Sequence, residues 1–455
     1  MRTWGVALAL FVGSFVVSLH GVGRPLSNSD EAVYGEMARE MAHGAGFKTL
    51  SWQGRPVLNR PPLAVWPLAL SARLFGATET ALRVPLALEA SLVVVLVFLL
   101  GRRRYGLAAG VCAAVVLATA DRWLCYAGYI ESEPLLLVFV VGAFLCWQRG
   151  SVLGWGACLG AALLTKQIVG ALPLVAPVAD LVARRPIDRR RLAIGLGIAA
   201  AMFGGWFVLE WHRFGRAFVD AYLLRNVLQR SMTAMHAHTT PAYYFVMLWQ
   251  REGIAVVLFV LGIAWAAWKR DGFLLVWALG VLLVFSFAAS RVDYYLLLAY
   301  PAFALAAGRM LAEAAPRFAA PAAVAAFALA HVIPRWTSPP PVSDPETGFL
   351  ASIAGRIGHA DDPLVLVDQV PYSARFYSQR RTLQIEFDRA DYAEATAILP
   401  AEIELASDPN TVLARFARWF AIVPQVHLGK LTGTVYKLGE TPRYVLLTNV
   451  PRAER

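Results

Sequence analysis

Recurrent apolar runs of about 15 to 20 residues constrain this chain more than any other feature, since a helix of that length can cross a bilayer. Hydrophobic residues make up 58% of the sequence and the mean hydropathy is +0.53. Both values lie above those of ordinary globular domains. The sequence therefore predicts a mainly α, polytopic transmembrane bundle rather than a soluble enzyme.

We predict about eleven membrane spans, one for each long apolar run. The runs are residues 4–19, 80–100, 106–120, 134–148, 152–165, 170–183, 192–210, 252–268, 272–289, 294–312 and 318–333. The first run can also be read as a signal peptide. It has only Arg2 before it and no clear small-residue cleavage site, which favours a retained helix.

The formal net charge of +11 has a simple explanation in the positive-inside rule and does not call for a nucleic-acid partner. If the N-terminus is cytoplasmic, basic residues fall at the inner loops: Arg102, Arg103, Arg104, Arg149, Arg184, Arg185, Arg189, Arg190, Arg191, Lys269, Arg270, Arg309 and Arg317. Nearly every residue that could carry chemistry then falls on the outer face.

The composition changes after the proline-rich linker at residues 339–341. Residues 363–367, 435–438 and 444–447 read as strands, whereas 415–422 is ambiguous. An odd number of spans puts this tail outside. We therefore predict a transmembrane domain at 1–335, with a first outer loop at 21–78, and a small extracytoplasmic α/β domain at 336–455.

The first outer loop contains the stretch from Ser29 to Met41, which is rich in carboxylates. Ser29 can cap a helix, which places Asp30 and Glu31 in the first turn, where the helix dipole favours negative charge. Met37 and Met41 then share an apolar side. The helix is either part of a polar site or plain interfacial packing.

Two further polar positions begin apolar segments. Arg60 precedes Pro61-Pro62, where a cation can meet a phosphate at the membrane surface or simply extend to the interface. Glu133 opens a span at its outer end, where a carboxylate near hydrocarbon is costly and usually has a reason. The alternative for Glu133 is an acidic first helical turn.

Polar residues also interrupt or join later spans. Lys166 lies in a short break that either lines a cavity or forms a turn. Arg291 and Asp293 join two outer helix ends and either pair with each other or line a polar site. His236 and His238 are two residues apart, which disfavours a helical zinc pair, although their basic and aromatic loop suits a head group or a sugar.

Several common site patterns are missing from the sequence. We find no Walker pattern, no GxGxxG, no HExxH and no Ser–His–Asp elbow, which argues against a cytosolic nucleotide as direct donor. The four cysteines lie in or beside apolar runs without metal-type spacing, and we predict no disulfide framework.

The ordered set of motifs resembles the ArnT-like and protein O-mannosyltransferase-like membrane glycosyltransferases of the GT-C class. The resemblance covers residues 1 to about 330, in the family's order. The matching pieces are Asp30-Glu31 with Tyr34 and residues 36–40; Arg60-Pro61-Pro62; Glu133-Pro134-Leu135; Leu164-Thr165-Lys166; and Ser290-Arg291 with Tyr295 and Pro301.

The resemblance implies roles for the acids. Asp30 matches the family's acid near the acceptor and reacting centre, so that it would be the base, with Glu31 beside it. Glu133 matches an acid that is more often Asp.

The resemblance also implies the phosphate contacts. Arg60 and Arg291 fall where the family often has Lys facing the lipid phosphate, with Lys166 and His238 as further candidates. The family lysine that corresponds to Lys166 is usually followed by Gly-Pro, whereas here Gln167 and Ile168 follow.

The expected reaction moves a sugar from a polyprenyl-phosphate donor to an outer-face acceptor such as lipid A, a glycan or a protein. The resemblance and the composition suggest a bacterial inner membrane. No metal ligand or cofactor is assigned, and a divalent metal stays open. The alternatives are a lipid-linked sugar transporter or flippase, and an inactive family member acting as an assembly partner.

Overall fold

The computed structural model describes most of the chain as helices and two small sheets. The described residues are 2–27, 30–229, 240, 242–253, 255–288, 291–314, 321–322, 324–326, 329, 346–359, 361–368, 372–388 and 402–451. The α-helices are α1 Arg2–Ser18, α2 Asp30–Glu40, α3 Trp66–Phe75, α4 Glu79–Tyr105, α5 Leu107–Thr119, α6 Asp121–Ala127, α7 Glu133–Gln148, α8 Val152–Lys166, α9 Val175–Val182, α10 Arg189–Val219, α11 Tyr243–Glu252, α12 Ala255–Trp268, α13 Gly272–Phe287, α14 Tyr300–Ala314, α15 Glu346–Arg356, α16 Ser373–Ser378 and α17 Pro409–Leu413. The strands are β1 Leu50–Trp52, β2 Arg55–Val57, β3 Leu364–Val367, β4 Thr382–Glu386, β5 Glu402–Leu405, β6 Phe420–Pro424, β7 Tyr436–Glu440 and β8 Tyr444–Thr448.

The apolar runs form helices of the expected kind. Within the described residues, four helical stretches are long and apolar enough to cross a membrane, and a bent pair, α5 with α6, makes a fifth. The four are Glu79–Tyr105, Val152–Val182, Arg189–Asn226 and Asp293–Ala314, by length and composition; the second of them reverses direction at Gln167 and so consists of two shorter segments. Shorter apolar helices are Thr3–Ser18, Glu133–Gln148, Ala255–Trp268 and Gly272–Phe287. The count of about eleven spans stays a prediction, since most of 318–333 lies outside the described residues.

Two element boundaries differ from the sequence expectation for backbone reasons. The helix expected across 252–268 breaks at Gly253, whose φ of 53° ends α11. The segment after Arg60 turns through Pro61 and Pro62 before α3 begins at Trp66. In both places a glycine or proline interrupts an otherwise apolar pattern.

The larger compact unit comprises Met1–Val22, Leu58–Pro67 and Arg83–Pro340. Its helices approach closely where small residues replace side chains, as is common in membrane bundles. A Cβ atom on Gly308 of α14 would lie 2.5 Å from the Ala113 nitrogen of α5. A Cβ atom on Gly262 of α12 would lie 2.5 Å from the Ala307 nitrogen. These glycines therefore determine how near α14 lies to its two neighbours.

The second compact unit comprises Gly23–Val57, Leu68–Leu82 and Pro341–Arg455. Its six-stranded sheet has the order β5-β4-β3-β6-β8-β7, with β5, β4, β3 and β6 parallel and the last two pairings antiparallel. The ambiguous segment 415–422 leads into β6, which pairs with both β3 and β8 and is buried on both faces.

Within this second unit, part of the first outer loop groups with the C-terminal residues. The Tyr377 hydroxyl donates to the Glu79 carboxylate at 2.8 Å and accepts from the Leu26 nitrogen at 2.8 Å. The Gln53 amide donates to the Thr382 hydroxyl. The boundaries predicted at 21–78 and 336–455 stay predictions, but these bonds explain why the loop and the tail form one unit.

We expect Gly308→Ala to destabilise the helical unit, because the new methyl group collides with the α5 backbone at Ala113 and Ala109. Overpacking of this kind typically costs about 1–3 kcal/mol. The measurement is the thermal unfolding midpoint of the purified chain in detergent. Gly280→Ala on α13 is the matched control, since its Cβ meets nothing within 4 Å. Equal midpoints for the two variants would contradict the close packing of α14 on α5.

Candidate functional site

A Lys–Glu pair lies where α7 begins and α8 ends. The Lys166 ammonium contacts the Glu133 carboxylate, whose side chain is 0% exposed. The same ammonium lies 4.8 Å from the ring centre of Tyr294 and 5.4 Å from that of Tyr295. The carboxylate and the two aromatic faces fix the position of the ammonium. A cation in a fixed position is suited to bind a phosphate.

The chain reverses directly after this lysine. A Cβ atom on Gly170 would lie 2.2 Å from the Ala162 oxygen, so that the 3₁₀ segment Gln167–Leu174 runs back along α8. Gln167 has φ 46° and ψ −134°, a conformation that residues other than glycine rarely adopt. The polar break predicted around Lys166 is therefore a turn, and its backbone is strained at Gln167.

This turn is tied to the segment that carries Arg60. The carbonyl oxygen of Asn59 accepts from the Gln167 side-chain amide and, at 2.6 Å, from the Asn226 side-chain amide. The Leu63 nitrogen donates to the Leu164 oxygen at 3.2 Å. These bonds bring the Asn59–Arg60 segment to the end of α8, next to Lys166.

A second charged pair lies beside the two tyrosines. The Asp293 carboxylate contacts the Arg122 guanidinium and accepts from the Tyr126 hydroxyl at 2.7 Å. Arg291 donates through Nε to the Ser286 oxygen at 2.8 Å. Asp293 therefore has cationic and phenolic partners on α6, in addition to lying two residues from Arg291.

A buried carboxylate supports this pair from α11. Glu252 accepts from the backbone nitrogens of Asp121 and Arg122, each at 2.9 Å, and from the Tyr300 hydroxyl at 2.8 Å. It thereby holds the start of α6 and the residue that pairs with Asp293. The sequence singled out neither Arg122 nor Glu252, because a charged residue at a helix end shows no local sign of its distant partner.

The acids of the opening stretch belong to the second unit. Asp30 begins α2 and is partly exposed. Glu31 is buried, accepts from the Ser27 nitrogen at 2.8 Å and lies 3.7 Å from Arg24. The helix itself is confirmed from Asp30, whereas its expected cap, Ser29, lies outside the described residues.

Glu36 is a further carboxylate on the buried side of α2. It is 2.6 Å from Arg39. Burial nevertheless raises the pKa of Glu36 to about 7, against the opposing effect of that arginine. Its protonation therefore changes near neutral pH, which makes it a poor choice for a permanently charged group.

The predicted site residues thus divide between the two units. Arg60, Glu133, Lys166 and Arg291 belong to the helical unit, whereas Asp30 and Glu31 belong to the second. His238 lies outside the described residues. Among the residues that the structure describes, no group of three His, Cys, Asp or Glu side chains is placed to hold a metal ion.

We expect Gln167→Gly to unfold near the wild-type temperature and Gln167→Ala to unfold at a lower one. Glycine adopts a positive φ without the cost of about 1–3 kcal/mol that other residues incur, which offsets the lost bond to Asn59. Alanine keeps the strain and also loses the bond. Thermal unfolding in detergent measures both, and an alanine variant as stable as the glycine variant would contradict the strained turn.

We expect Lys166→Met to destabilise the chain more than Glu133→Gln does. Removing the lysine leaves a fully buried carboxylate without its cation, at a cost of about 3–5 kcal/mol. Removing the glutamate leaves an ammonium that is 20% exposed and still faces two rings. The double variant should recover much of the loss in a double-mutant cycle of unfolding free energies. Strictly additive effects would show that the pair is not coupled.

Part of the sequence matches a described protein family. The family model described as dolichyl-phosphate-mannose-protein mannosyltransferase matches residues 59–208. The undecaprenyl phosphate-alpha-4-amino-4-deoxy-L-arabinose arabinosyl transferase 1 of Pseudomonas fluorescens is 25% identical over 338 residues, which are 69% of this chain and 60% of that protein. An uncharacterized protein of Aquifex aeolicus is 25% identical over 292 residues, 61% of this chain and 58% of its own length. The chain spans about three fifths of the length of these curated relatives.

Solved structures show the same fold over nearly the whole chain. ArnT from Cupriavidus metallidurans, in a crystal structure bound to undecaprenyl phosphate, has a TM-score of 0.78 at 20% identity and covers 98% of both chains. The oligosaccharyltransferase of Archaeoglobus fulgidus has a TM-score of 0.52 at 12% identity, covering 92% of this chain and 69% of that one. The chain therefore shares the fold of ArnT from Cupriavidus metallidurans over nearly its whole length.

Proposed function

We propose that this protein is an integral membrane glycosyltransferase that moves a sugar from a polyprenyl-phosphate donor to an extracytoplasmic acceptor. The observation that carries the proposal is the ordered cationic end of the helical unit, where Lys166 is held by Glu133, Tyr294 and Tyr295 beside the segments of Arg60 and Arg291. The relative of matching fold that was crystallised with undecaprenyl phosphate supports a lipid phosphate as its ligand.

The chemistry asks for charge stabilisation at the leaving group. When the glycosidic C–O bond to the lipid phosphate breaks, the phosphate gains a negative charge, which fixed cations stabilise better than mobile water does. We assign Arg60, Lys166 and Arg291 to this phosphate, with His238 as a further candidate. Arginine suits this role, because a guanidinium binds phosphate through two parallel hydrogen bonds.

The acceptor hydroxyl must lose a proton as it attacks, and we assign Asp30 as the base. Glu31 is less suited, since it is buried and engaged with Ser27 and Arg24. Glu133 is bound to Lys166, and its proposed role is to orient that ammonium rather than to take a proton. A single displacement by the acceptor would invert the anomeric centre.

The proposed setting is a bacterial inner membrane, with about eleven spans and with the site and the C-terminal domain on the outer face. The distribution of basic residues supports this orientation. At the N-terminal end of α13, Asp271 contacts Arg309. At the C-terminal end, Arg291 follows the helix a few residues later. The arginine-rich end and the proposed site therefore lie at opposite ends of one apolar helix.

We expect Asp30→Asn to lower sugar transfer by about 10²–10⁴-fold, the usual contribution of a general base. The assay uses proteoliposomes, radiolabelled polyprenyl-phosphate sugars and an extract of envelope acceptors, which fractionation assigns to lipid A, glycan or protein. Asp361→Asn, an exposed carboxylate of the same unit, is the matched control and should keep full activity.

Three outcomes would change the assignment. Full transfer by Asp30→Asn would remove Asp30 as the base. Equal loss in Asp361→Asn would point to a general effect of charge rather than to a catalytic group. A wild-type protein that moves the lipid-linked sugar between leaflets, and transfers label to no acceptor, would be a transporter.

A further inference from the structure

The helical unit contains a cavity of about 400 Å³ that the proposed reaction does not use. Its charged lining consists of five cations and two carboxylates: Arg104, Arg185, Lys269, Arg270, Arg309, Asp180 and Asp271. The 16-residue helix α13 begins beside this cavity and ends near Arg291, so that about 24 Å of helix separates the cavity from the candidate site. The two are therefore distinct sites.

Two arginines that line the cavity stack on aromatic rings. The Arg309 guanidinium contacts Asp271 at 2.6 Å and lies 4.9 Å from the ring centre of Tyr105. Arg104 lies 4.3 Å from the ring centre of Phe273. Both side chains are mostly buried, at 20% and 16% exposure for Arg104 and Arg309. Arginines that served only to orient the chain would need no such stacking.

Positive charge is in excess around the cavity. Five cationic side chains line the cavity with two carboxylates, and Glu313, outside the lining, contacts Arg309 at 2.8 Å and Lys269 at 3.6 Å, which leaves an excess of two positive charges. Both carboxylates also accept bonds from neutral donors, Asp271 from the Tyr105 hydroxyl at 2.7 Å and Asp180 from the Trp147 indole at 2.7 Å. The lining therefore carries a net positive charge, which favours the binding of an anion.

The surroundings of the cavity match the boundary between head groups and acyl chains. Leu181 and Val182, next to the lining residue Asp180, are 67% and 61% exposed. Trp268, next to the lining residue Lys269, is 68% exposed, and the Lys269 ammonium lies 4.6 Å from its ring centre. Exposed tryptophan beside exposed aliphatic residues is typical of the membrane interface.

We infer that this cavity binds the phosphate group of an anionic phospholipid. Fixed guanidinium groups suit phosphate oxygens, and the exposed leucine and valine suit the acyl chains that a free phosphate lacks. The inference stands apart from the proposed transfer reaction, since it concerns the other end of the bundle and needs no sugar donor.

The test compares the binding of phosphatidylglycerol and phosphatidylcholine to the purified full chain in detergent, by native mass spectrometry, without sugar donor. We expect wild type to prefer phosphatidylglycerol. Arg185→Gln combined with Arg270→Gln should weaken phosphatidylglycerol binding about tenfold, as the loss of charge-assisted bonds predicts. Arg149→Gln combined with Arg190→Gln is the matched control, because it removes two exposed cations that do not line the cavity.

A competition with inorganic phosphate distinguishes the two sources of the ligand. Lipid binding that persists in excess phosphate supports a phospholipid site. Displacement of the lipid by phosphate would contradict a phospholipid as the ligand and indicate a soluble phosphate compound. Equal weakening in both double variants, or no preference of wild type for phosphatidylglycerol, would overturn the inference. If the cavity variant does not stay monodisperse, the wild-type preference and competition decide by themselves.

Discussion

The rest of the helical unit depends on one constraint, which is that charges at the ends of apolar helices need partners. Water is scarce there, and an unpaired ion near hydrocarbon is costly. Lys166 with Glu133 and Arg122 with Asp293 satisfy this constraint near the candidate site, and Arg309 with Asp271 satisfies it at the far end of α13. Each pair joins two different helical segments, so that the same contacts that neutralise charge also hold the helix ends together.

Close packing at glycines also holds the helical unit together. Gly308 allows α14 to lie against α5, and Gly170 allows the returning chain to lie against Ala162. The contact at Gly170 allows the chain to reverse sharply after Lys166. Gln167 then adopts a backbone conformation that favours glycine, and its side chain bonds to the Asn59 carbonyl. The strained residue is thereby also the anchor of the Arg60 segment, which gives a physical reason for tolerating it.

Both ends of the bundle use cations held by aromatic rings, but their surroundings differ. Lys166 is mostly enclosed by a carboxylate and two tyrosines, which fix the position of its ammonium. The cavity near Arg104 opens beside exposed leucine, valine and tryptophan, as suits a resident lipid. The two proposals therefore assign the same chemistry of cation and ring to catalysis in one place and to membrane contact in the other.

The sequence by itself determined the membrane class, most of the apolar helices, the start of α2 at Asp30 and the late strands, because local hydropathy and periodicity encode these features. It also singled out Glu133 and Lys166, since a charge beside an apolar run is conspicuous. Only the tertiary structure decided that these two meet, that Asp293 meets Arg122 and that Glu252 holds the start of α6. Such contacts link residues 33, 171 and 130 positions apart, and no local pattern records which distant helix ends will be neighbours.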